Sequence, residues 1–158
     1  MKKIIRTLVL IATLCFVCDA FAAERYIVID KPTRKLYVIH ERDTIFRAGV
    51  CLGAGYGNKQ EVGDNRTPEG TFKVSMIHDS SAWTKDFGYG EVYCYGPWFI
   101  RLYMPEWHHH IGIHGTANPA TIGSRRSQGC IRLKSNDIRK LKDLVKVGMK
   151  VIITPDFK

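Results

Sequence analysis

After its first 22 residues, this chain of 158 residues contains no apolar run that approaches the length of a membrane span, which takes about 20 residues. It also contains no internal repeat and no low-complexity linker. These absences exclude a repeat architecture and a string of domains. What is left is one domain of common size, long enough to bury a real core.

The first residues differ in composition from all that follows. They begin with the positive residues Lys2, Lys3 and Arg6, include an apolar run from Ile4 to Val17, and end in the small-x-small cleavage site Ala20-Phe21-Ala22. These are the three parts of a secretory signal peptide. We expect residues 1–22 to be a signal peptide, with an uncleaved anchor as the alternative. Residues 23–158 would then form one exported domain in the periplasm or cell wall.

Acidic residues are scarce, with 15 Asp and Glu against 24 Lys and Arg and a net charge of +9. The signal peptide holds three cations and one carboxylate, so its removal takes away a net +2 and leaves +7. Such an excess favours anionic partners, which outside the cytoplasm are wall polymers, anionic lipids or free carboxylates. No nucleic-acid-binding motif is present, so we expect no nucleic-acid partner, and we expect a monomer.

Three cysteines lie beyond the signal peptide: Cys51, Cys94 and Cys130. An odd number in an exported protein leaves one thiol without a disulfide partner. Cys51 and Cys94 are one conceivable pair, but spacing along the chain does not decide connectivity. The sequence therefore indicates at least one free thiol.

Short β-rich runs dominate the domain. We predict strands over 26–29, 35–39, 44–52, 71–77, 98–102, 111–114 and 150–154, and the alternation in 71–77 places Phe72, Val74 and Met76 on the buried face. One segment has helical period, with Ser135 as its N-cap and Gly148 at its end. The pattern predicts a mainly-β fold with one late α-helix.

Two short elements carry the residues suited to chemistry, IGIHGT at 111–116 and SQGCIRL at 127–133. His114 ends an apolar run, and Cys130 follows a glycine, which allows backbone N–H groups to approach a substrate carbonyl closely. An imidazole that takes the thiol proton would lower the pKa of Cys130 from its usual value of about 8.5. Arg132 could hold a substrate carboxylate. These residue types suit acyl transfer through a thioester.

Other patterns suggest different chemistry and are given less weight. The run His108-His109-His110 invites zinc, but consecutive side chains on a strand point to opposite faces, so we expect no metal. Asp64 with Thr67-Pro68 is interpreted as a turn rather than as part of a carboxylate pair. The aromatic residues between 83 and 98 are interpreted as core, with a flap over substrate as the alternative: Trp83, Tyr89, Tyr93, Tyr95 and Trp98.

The two elements together resemble the signature of the L,D-transpeptidase catalytic domain, the YkuD-like family. The upstream segment VGDNRTPEGTF at 62–72 is similar to the family motif GD-x-x-TP-x-G-x-F. The resemblance implies a single β-sandwich domain with these site residues: Cys130 as nucleophile, His114 as proton acceptor and donor, the Gly115 carbonyl orienting His114, the N–H groups of Gly129 and Cys130 as oxyanion hole, and Arg132 and Ser127 toward substrate. Many members have His where this chain has Gln128, which we expect to alter substrate contact.

The resemblance also implies a reaction that needs no cofactor. The thiolate attacks the carbonyl of the third residue of a peptidoglycan tetrapeptide stem, releases D-alanine and passes the acyl group to an amine of a second stem. Water as acceptor would make the protein an L,D-carboxypeptidase, and a lysine of a wall protein would anchor that protein. A non-catalytic wall-binding module and a zinc amidase are the other hypotheses.

Overall fold

The structure is a computed structural model that describes residues 24–88, 90–105 and 111–157. Within these ranges the chain forms twelve strands, a 3-10 turn at Pro119–Thr121 and one α-helix. In chain order they are β1 (Tyr26–Asp30), β2 (Lys35–His40), β3 (Asp43–Gly49), β4 (Leu52–Gly53), β5 (Gly70–Asp79), β6 (Thr84–Asp86), β7 (Glu91–Tyr93), β8 (Trp98–Leu102), β9 (Gly112–His114), β10 (Arg125–Ser127), β11 (Ile131–Arg132), α1 (Ser135–Leu144) and β12 (Lys150–Ile153).

Eight of the strands make one curled sheet, in the order β11-β9-β8-β5-β12-β1-β2-β3. The predicted hairpin is present as antiparallel β1 and β2, with Tyr26 opposite Ile39, and the last strand, β12, pairs in parallel with β1. β10 with β4 and β6 with β7 form two small separate sheets. The expected mainly-β fold with one late helix is therefore confirmed.

Alternating apolar residues of the sheet and one face of α1 build a single core. Ile27, Ile113 and Ile131 are fully buried, as are Ile138 and Leu141 of the helix. Each such side chain contributes about 1.5–3 kcal/mol by leaving water. The core thus fixes β9 and β11, which carry the residues of interest, against the helix.

The helix begins at Ser135 itself, one residue earlier than the predicted cap implied. Lys134 has extended backbone at the N-cap position and makes no side-chain capping bond, while Ser135 is already helical. The helix ends at Leu144, with Val145 extended, before the chain reaches Gly148. The apolar face predicted the helix correctly, but Ser135 as N-cap was wrong.

Strand β5 departs from strict alternation. The register against β8 shifts between Val74 and Met76, which is the mark of a β-bulge. Val74 is buried, but Met76 is 49% exposed, and Ile77 packs against the core in its place. The prediction that Met76 faces inward was therefore wrong, because the extra residue turns the rest of the strand over.

The predicted strand over 44–52 is divided in two. After β3 the chain leaves its neighbour β2, and Cys51 forms a bridge with Arg132 through two backbone hydrogen bonds of 2.9 Å each. β4 then pairs with β10. This division ties the far edge of the sheet to β11, next to Cys130.

A buried cation joins the end of β1 to the loop before β5. Lys31 is 0% exposed, and its Nζ donates to the Gly57 carbonyl at 2.8 Å and to Glu69 Oε1 at 2.7 Å. Asp156, near the end of the chain, lies 2.9 Å from the same Nζ. Arg125 makes a further ion pair with Asp156. Nothing in the sequence analysis anticipated this cluster.

None of the helices in the described part of the chain is both long and apolar enough to cross a membrane. The predicted signal peptide over 1–22 lies outside the described residues, so it stays a prediction.

Candidate active site

Two neighbouring strands bring the predicted nucleophile and base together. β9 and β11 pair in parallel, with Ile113 beside Ile131 and His114 beside Arg132. Both isoleucines are fully buried in the core. Because successive side chains on a strand alternate between faces, His114, Arg132 and Cys130 all project from the opposite face. Residues 16 positions apart in the chain thereby reach one surface.

That surface is the wall of a cavity of about 920 Å³, at the upper end of the range of small-molecule sites. Three of the predicted site residues line it: Cys130, His114 and Arg132. The other lining residues are Lys59, Val62, Gly63, Asn65, Trp83, Thr84, Lys85, Phe87, Cys94, Tyr95, Phe99, Arg101, Ile111 and Gln128. Gly115, Ser127 and Gly129 are not among the lining residues. Gly115 and Ser127 form hydrogen bonds with His114 and Cys130, which do line the cavity.

The imidazole of His114 is held by a backbone carbonyl. Its Nδ1 lies 2.6 Å from the carbonyl oxygen of Gly115. A carbonyl oxygen only accepts, so Nδ1 carries the proton of the neutral ring, and Nε2 is left as the acceptor. Gly115 thus has the contact that the sequence analysis expected of it.

A glycine is needed at 115 because two backbones nearly touch there. A Cβ on Gly115 would lie 3.0 Å from the Cα of Gly96, and a Cβ on Gly96 would lie 2.7 Å from the Cα of Gly115. The Tyr95 carbonyl oxygen is close as well, 3.2 Å from where that Cβ on Gly115 would lie. The His-Gly pair in the sequence therefore reflects a packing requirement as well as the chemistry of His114.

Aromatic rings bury His114. The Phe99 ring is stacked on it at 5.4 Å between centroids, Tyr95 lies at 5.1 Å, and the residue is 3% exposed. This burial lowers the pKa of His114 to about 4, and the charge of Arg132 acts in the same direction, while the backbone of Gly115 and of Tyr95 opposes both. The imidazole is consequently neutral at pH 7 and able to accept a proton.

Burial changes the pKa of the nucleophile in the opposite direction to that of His114. It raises the pKa of the Cys130 thiol, while the Gly112 backbone and the charges of Arg132 and Lys85 partly oppose it. Sequence reasoning expected the imidazole to lower this pKa. The structure differs because a poorly solvated site penalises both ions, so the resting pair is a neutral thiol and a neutral imidazole.

The turn before Cys130 depends on Gly129 and Ser127. Gly129 has φ of +124°, and a Cβ there would lie 2.9 Å from the Arg66 carbonyl oxygen. Ser127 Oγ accepts the Gly129 N–H at 3.1 Å and donates to the Cys130 carbonyl at 2.5 Å. Ser127 is 2% exposed, so it supports the turn from behind rather than facing the cavity, and it occupies the Gly129 N–H.

The upstream motif packs beneath the same turn. Asp64 accepts hydrogen bonds from Lys59 Nζ at 2.7 Å and from the backbone N–H groups of Gln60 and Arg66 at 2.7 and 3.0 Å. Burial alone would raise the pKa of Asp64, but these bonds outweigh it and hold the pKa well below its usual range. The interpretation of Asp64 as a turn-forming residue agrees with these contacts.

The β6–β7 hairpin contacts the nucleophile turn from the other side of the cavity. Lys85 Nζ donates to Gln128 Oε1 at 2.6 Å. Trp83 and Tyr95 line the cavity, so the flap interpretation fits these two aromatic residues, while Tyr93 is 63% exposed. Tyr89 lies outside the described residues.

Two further expectations concern the pairing of the cysteines and the binding of a metal ion. Within the described residues none of Cys51, Cys94 and Cys130 forms a disulfide, and Cys51 is buried while Cys94 lies in the cavity wall. The described residues contain no group of His, Cys, Asp and Glu suited to a metal ion. The run His108-His109-His110 lies outside them.

Comparison with known proteins agrees with this geometry. A family model described as the L,D-transpeptidase catalytic domain, YkuD, matches residues 24–153. The YkuD protein of Bacillus licheniformis is 50% identical over 46 residues, which are 29% of this chain and 28% of that protein. The YqjB protein of Bacillus subtilis is 28% identical over 142 residues, covering 83% of this chain and 72% of its own length.

Solved structures share the fold. An L,D-transpeptidase from Mycobacterium smegmatis superposes with a TM-score of 0.59 at 17% identity, covering 84% of this chain and 59% of that one. A C442S mutant of the Enterococcus faecium L,D-transpeptidase gives 0.63 at 17% identity, covering 82% of this chain and 49% of that one. This chain thus spans roughly half to three-fifths of those chains, and it belongs to the family of L,D-transpeptidase catalytic domains.

Proposed function

We propose that this chain is a peptidoglycan L,D-transpeptidase in which Cys130 is the nucleophile and His114 its proton acceptor and donor. One observation carries the proposal: the thiol and the imidazole line the same cavity, and the Gly115 carbonyl leaves His114 Nε2 as the acceptor. The family acts on peptidoglycan stem peptides. A buried, neutral imidazole is the form that takes a proton at neutral pH.

In the first step the Cys130 thiol gives its proton to His114 Nε2 as its sulfur attacks the carbonyl carbon of the third stem residue. A C–S bond forms, and the carbonyl oxygen takes up the negative charge. As the oxygen's electrons return, the C–N bond to D-alanine breaks, and His114 returns the proton to the leaving amine. The product is a thioester on Cys130. Concerted proton transfer suits a pair whose resting state is uncharged.

The oxyanion would be stabilised by backbone N–H groups of the nucleophile turn. Cys130 N–H is the principal candidate. Gly129 N–H donates to Ser127 Oγ in this structure, so its contribution would require that Ser127 share the bond with the substrate oxygen. Ser127 is thereby a support of the turn in this proposal, rather than the substrate contact that the sequence analysis assigned to it.

The charge of the cavity wall suits a substrate with carboxylates. Among the described lining residues there are four cationic side chains and no Asp or Glu: Lys59, Lys85, Arg101 and Arg132. Lys59 is paired with Asp64 behind the wall. Arg132 lies beside His114 in the sheet register, within the site itself. We propose that Arg132 binds a carboxylate of the substrate, to which a guanidinium can donate two parallel hydrogen bonds.

In the second step an acceptor attacks the thioester carbonyl carbon, the C–S bond breaks, and the proton that the acceptor loses passes through His114 to the Cys130 sulfur. An amine of a second stem would give a crosslink, which we propose as the reaction, in the periplasm or cell wall after export directed by residues 1–22. Water would give an L,D-carboxypeptidase, and a lysine of a wall-anchored protein would attach that protein. We propose that the domain acts as a monomer without a cofactor.

The test is incubation with purified disaccharide-tetrapeptide, followed by mass analysis of the products. A crosslinked dimer supports the transpeptidase, and a tripeptide alone supports the carboxypeptidase. Cys130→Ala should abolish both products with an unchanged melting temperature, and His114→Gln should lose most of the rate at pH 7. Turnover in Cys130→Ala would refute the assignment.

Labelling separates the enzyme from a non-catalytic wall-binding module. A carbapenem should add one mass equivalent to the wild-type chain at Cys130 and none to Cys130→Ala. Absence of any adduct on a folded wild-type chain would favour the module. Activity that survives a strong chelator would eliminate the zinc amidase hypothesis.

A further inference from the structure

Thr67 is a buried hydroxyl that joins the upstream motif to the nucleophile turn. It is 0% exposed, and its Oγ accepts the Gly53 N–H at 2.8 Å and donates to the Gly129 carbonyl at 2.9 Å. The direction of each bond is fixed, because an amide only donates and a carbonyl only accepts. The single hydroxyl proton is therefore committed to Gly129.

The Gly129 carbonyl belongs to the same peptide unit as the N–H of Cys130. A trans peptide is planar, and its C=O and N–H point in opposite directions. None of the described peptide bonds is cis. Because the Gly129 carbonyl points at Thr67, the Cys130 N–H points away from Thr67. Cys130 lines the cavity and Thr67 does not.

Local sterics alone do not set the orientation of this peptide unit. Gly129 has no Cβ and lies at φ +124°, where glycine tolerates a wide range of neighbouring peptide orientations. A hydrogen bond to the carbonyl is then what distinguishes one orientation from a flipped one. Thr67 supplies that bond at 2.9 Å from a fully buried position.

Thr67 is itself held from behind. Its carbonyl accepts a hydrogen bond of 2.9 Å from Nζ of Lys31, the buried cation at the end of β1. That Nζ is held in turn by Glu69 and Asp156. The backbone of Thr67 is thus attached to a buried ionic cluster, and its hydroxyl has a fixed base from which to reach Gly129.

We propose that Thr67 is a positioning residue for acylation: its hydroxyl fixes the Gly129–Cys130 peptide unit so that the Cys130 N–H faces the oxygen of the substrate carbonyl. This inference rests on the proposed function. Loss of one oxyanion-hole donor typically reduces the rate by about 100- to 1000-fold. Partial misorientation in Thr67→Val should cost less, roughly 10- to 100-fold in the acylation rate.

The experiment compares two reactions of the same thiol. Acylation by imipenem passes through an oxyanion, whereas alkylation by iodoacetamide occurs at a saturated carbon and does not. In Thr67→Val, acylation of Cys130 should fall 10- to 100-fold, while alkylation at Cys130, read by peptide mapping, should stay within about twofold. Thr67→Ser, which retains the hydroxyl, should restore acylation to near the wild-type rate.

A spectroscopic readout makes the test independent of activity. The amide nitrogen shift of Cys130 responds to hydrogen bonding at the preceding carbonyl, so it should move in Thr67→Val and return in Thr67→Ser. Thr67→Ala serves if the valine variant does not fold. Equal loss of acylation and alkylation, or an unmoved amide shift, would overturn the inference. If the wild-type chain never acylates, the proposed function is refuted, whereas a shift change in Thr67→Val would still show that Thr67 orients the Gly129–Cys130 peptide unit.

Discussion

The rings of Phe99 and His114 lie nearly parallel, with 8° between their planes and 5.4 Å between their centroids. Phe99 sits on β8, the neighbour of β9 in the sheet, where it pairs with His114 in register. One face of the imidazole is therefore covered by a residue that carries no charge and no hydrogen-bonding group. This contact keeps the imidazole out of water without engaging either of its nitrogens.

The first prediction follows from that contact. Phe99→Leu should expose the imidazole and raise the pKa of His114 from about 4 toward its ordinary 6.5, because burial is the largest cause of the low value. The acid limb of the acylation rate should move to higher pH by the same amount. Phe72→Leu, which alters a partly buried ring elsewhere on the core, is the control. An acid limb unmoved in Phe99→Leu would contradict the role of burial.

Alkylation of Cys130 should titrate late. Burial raises the pKa of this thiol, so the rate with iodoacetamide should be low at pH 7 and should reach half its maximum above the ordinary cysteine value of about 8.5. Arg132→Gln should move the midpoint higher still, since it removes a positive charge that favours the thiolate. A resting imidazolium–thiolate pair would behave differently, with rapid alkylation that persists well below pH 7.

Arg132 should discriminate between charged and neutral substrates. In Arg132→Gln, kcat/KM for a tetrapeptide with a free terminal carboxylate should fall by about 10- to 100-fold, the effect of losing a hydrogen bond to a charged group. The C-terminal amide of the same peptide should be affected much less. Arg126→Gln, at an exposed position on β10, is the matched control. Equal losses for both peptides would show that Arg132 does not bind that carboxylate.

Gln128 should tolerate substitution. It is exposed, and its side chain contacts Lys85 on the β6–β7 hairpin, a bond that an imidazole at this position would not reproduce in the same geometry. Gln128→His should therefore change the rate or the choice of acceptor by less than about tenfold, as expected for an exposed contact. If the substitution turns an inactive protein into an active one, then Gln128 blocks catalysis, contrary to this prediction.

Removal of the buried cation should destabilise the fold. Lys31→Met leaves Glu69 and Asp156 without the Nζ that lies 2.7 and 2.9 Å from them, and it should lower the free energy of unfolding by about 3–5 kcal/mol. Urea denaturation measures the change. Lys142→Met removes an exposed ion pair with Asp143 and should cost below about 1 kcal/mol. Similar values for the two variants would contradict the proposed importance of burial.

Much of the fold could be predicted from local pattern. The β1–β2 hairpin and α1 follow from alternation and helical period, which are properties of short windows. The bulge in β5 could not be predicted, because Phe72, Val74 and Met76 alternate in the sequence as a regular strand would. The extra residue is forced by pairing with β8, a strand more than 20 positions away.

The site shows the same division between local and distant information. Cys130, His114 and Arg132 were predicted from two short motifs, and the cavity is lined by all three. The contacts of Thr67 with Gly129 and of Tyr95 with His114 could not be predicted, since each joins segments far apart in the chain. The protonation states were also beyond reach, because they depend on burial that no motif records.

The parallel pairing of β9 with β11 makes the spacing of base and nucleophile a property of strand register. The segment between Thr116 and Ser124 could therefore gain or lose residues without altering the distance between imidazole and sulfur, provided that both strands stay in place. A slip of one position in β11 would be of another kind, since it would turn the sulfur into the hydrophobic interior and bring Ile131 to the opening. Length variants of that loop should thus keep their acylation activity, whereas deletion of one residue beside the cysteine should abolish activity in every assay.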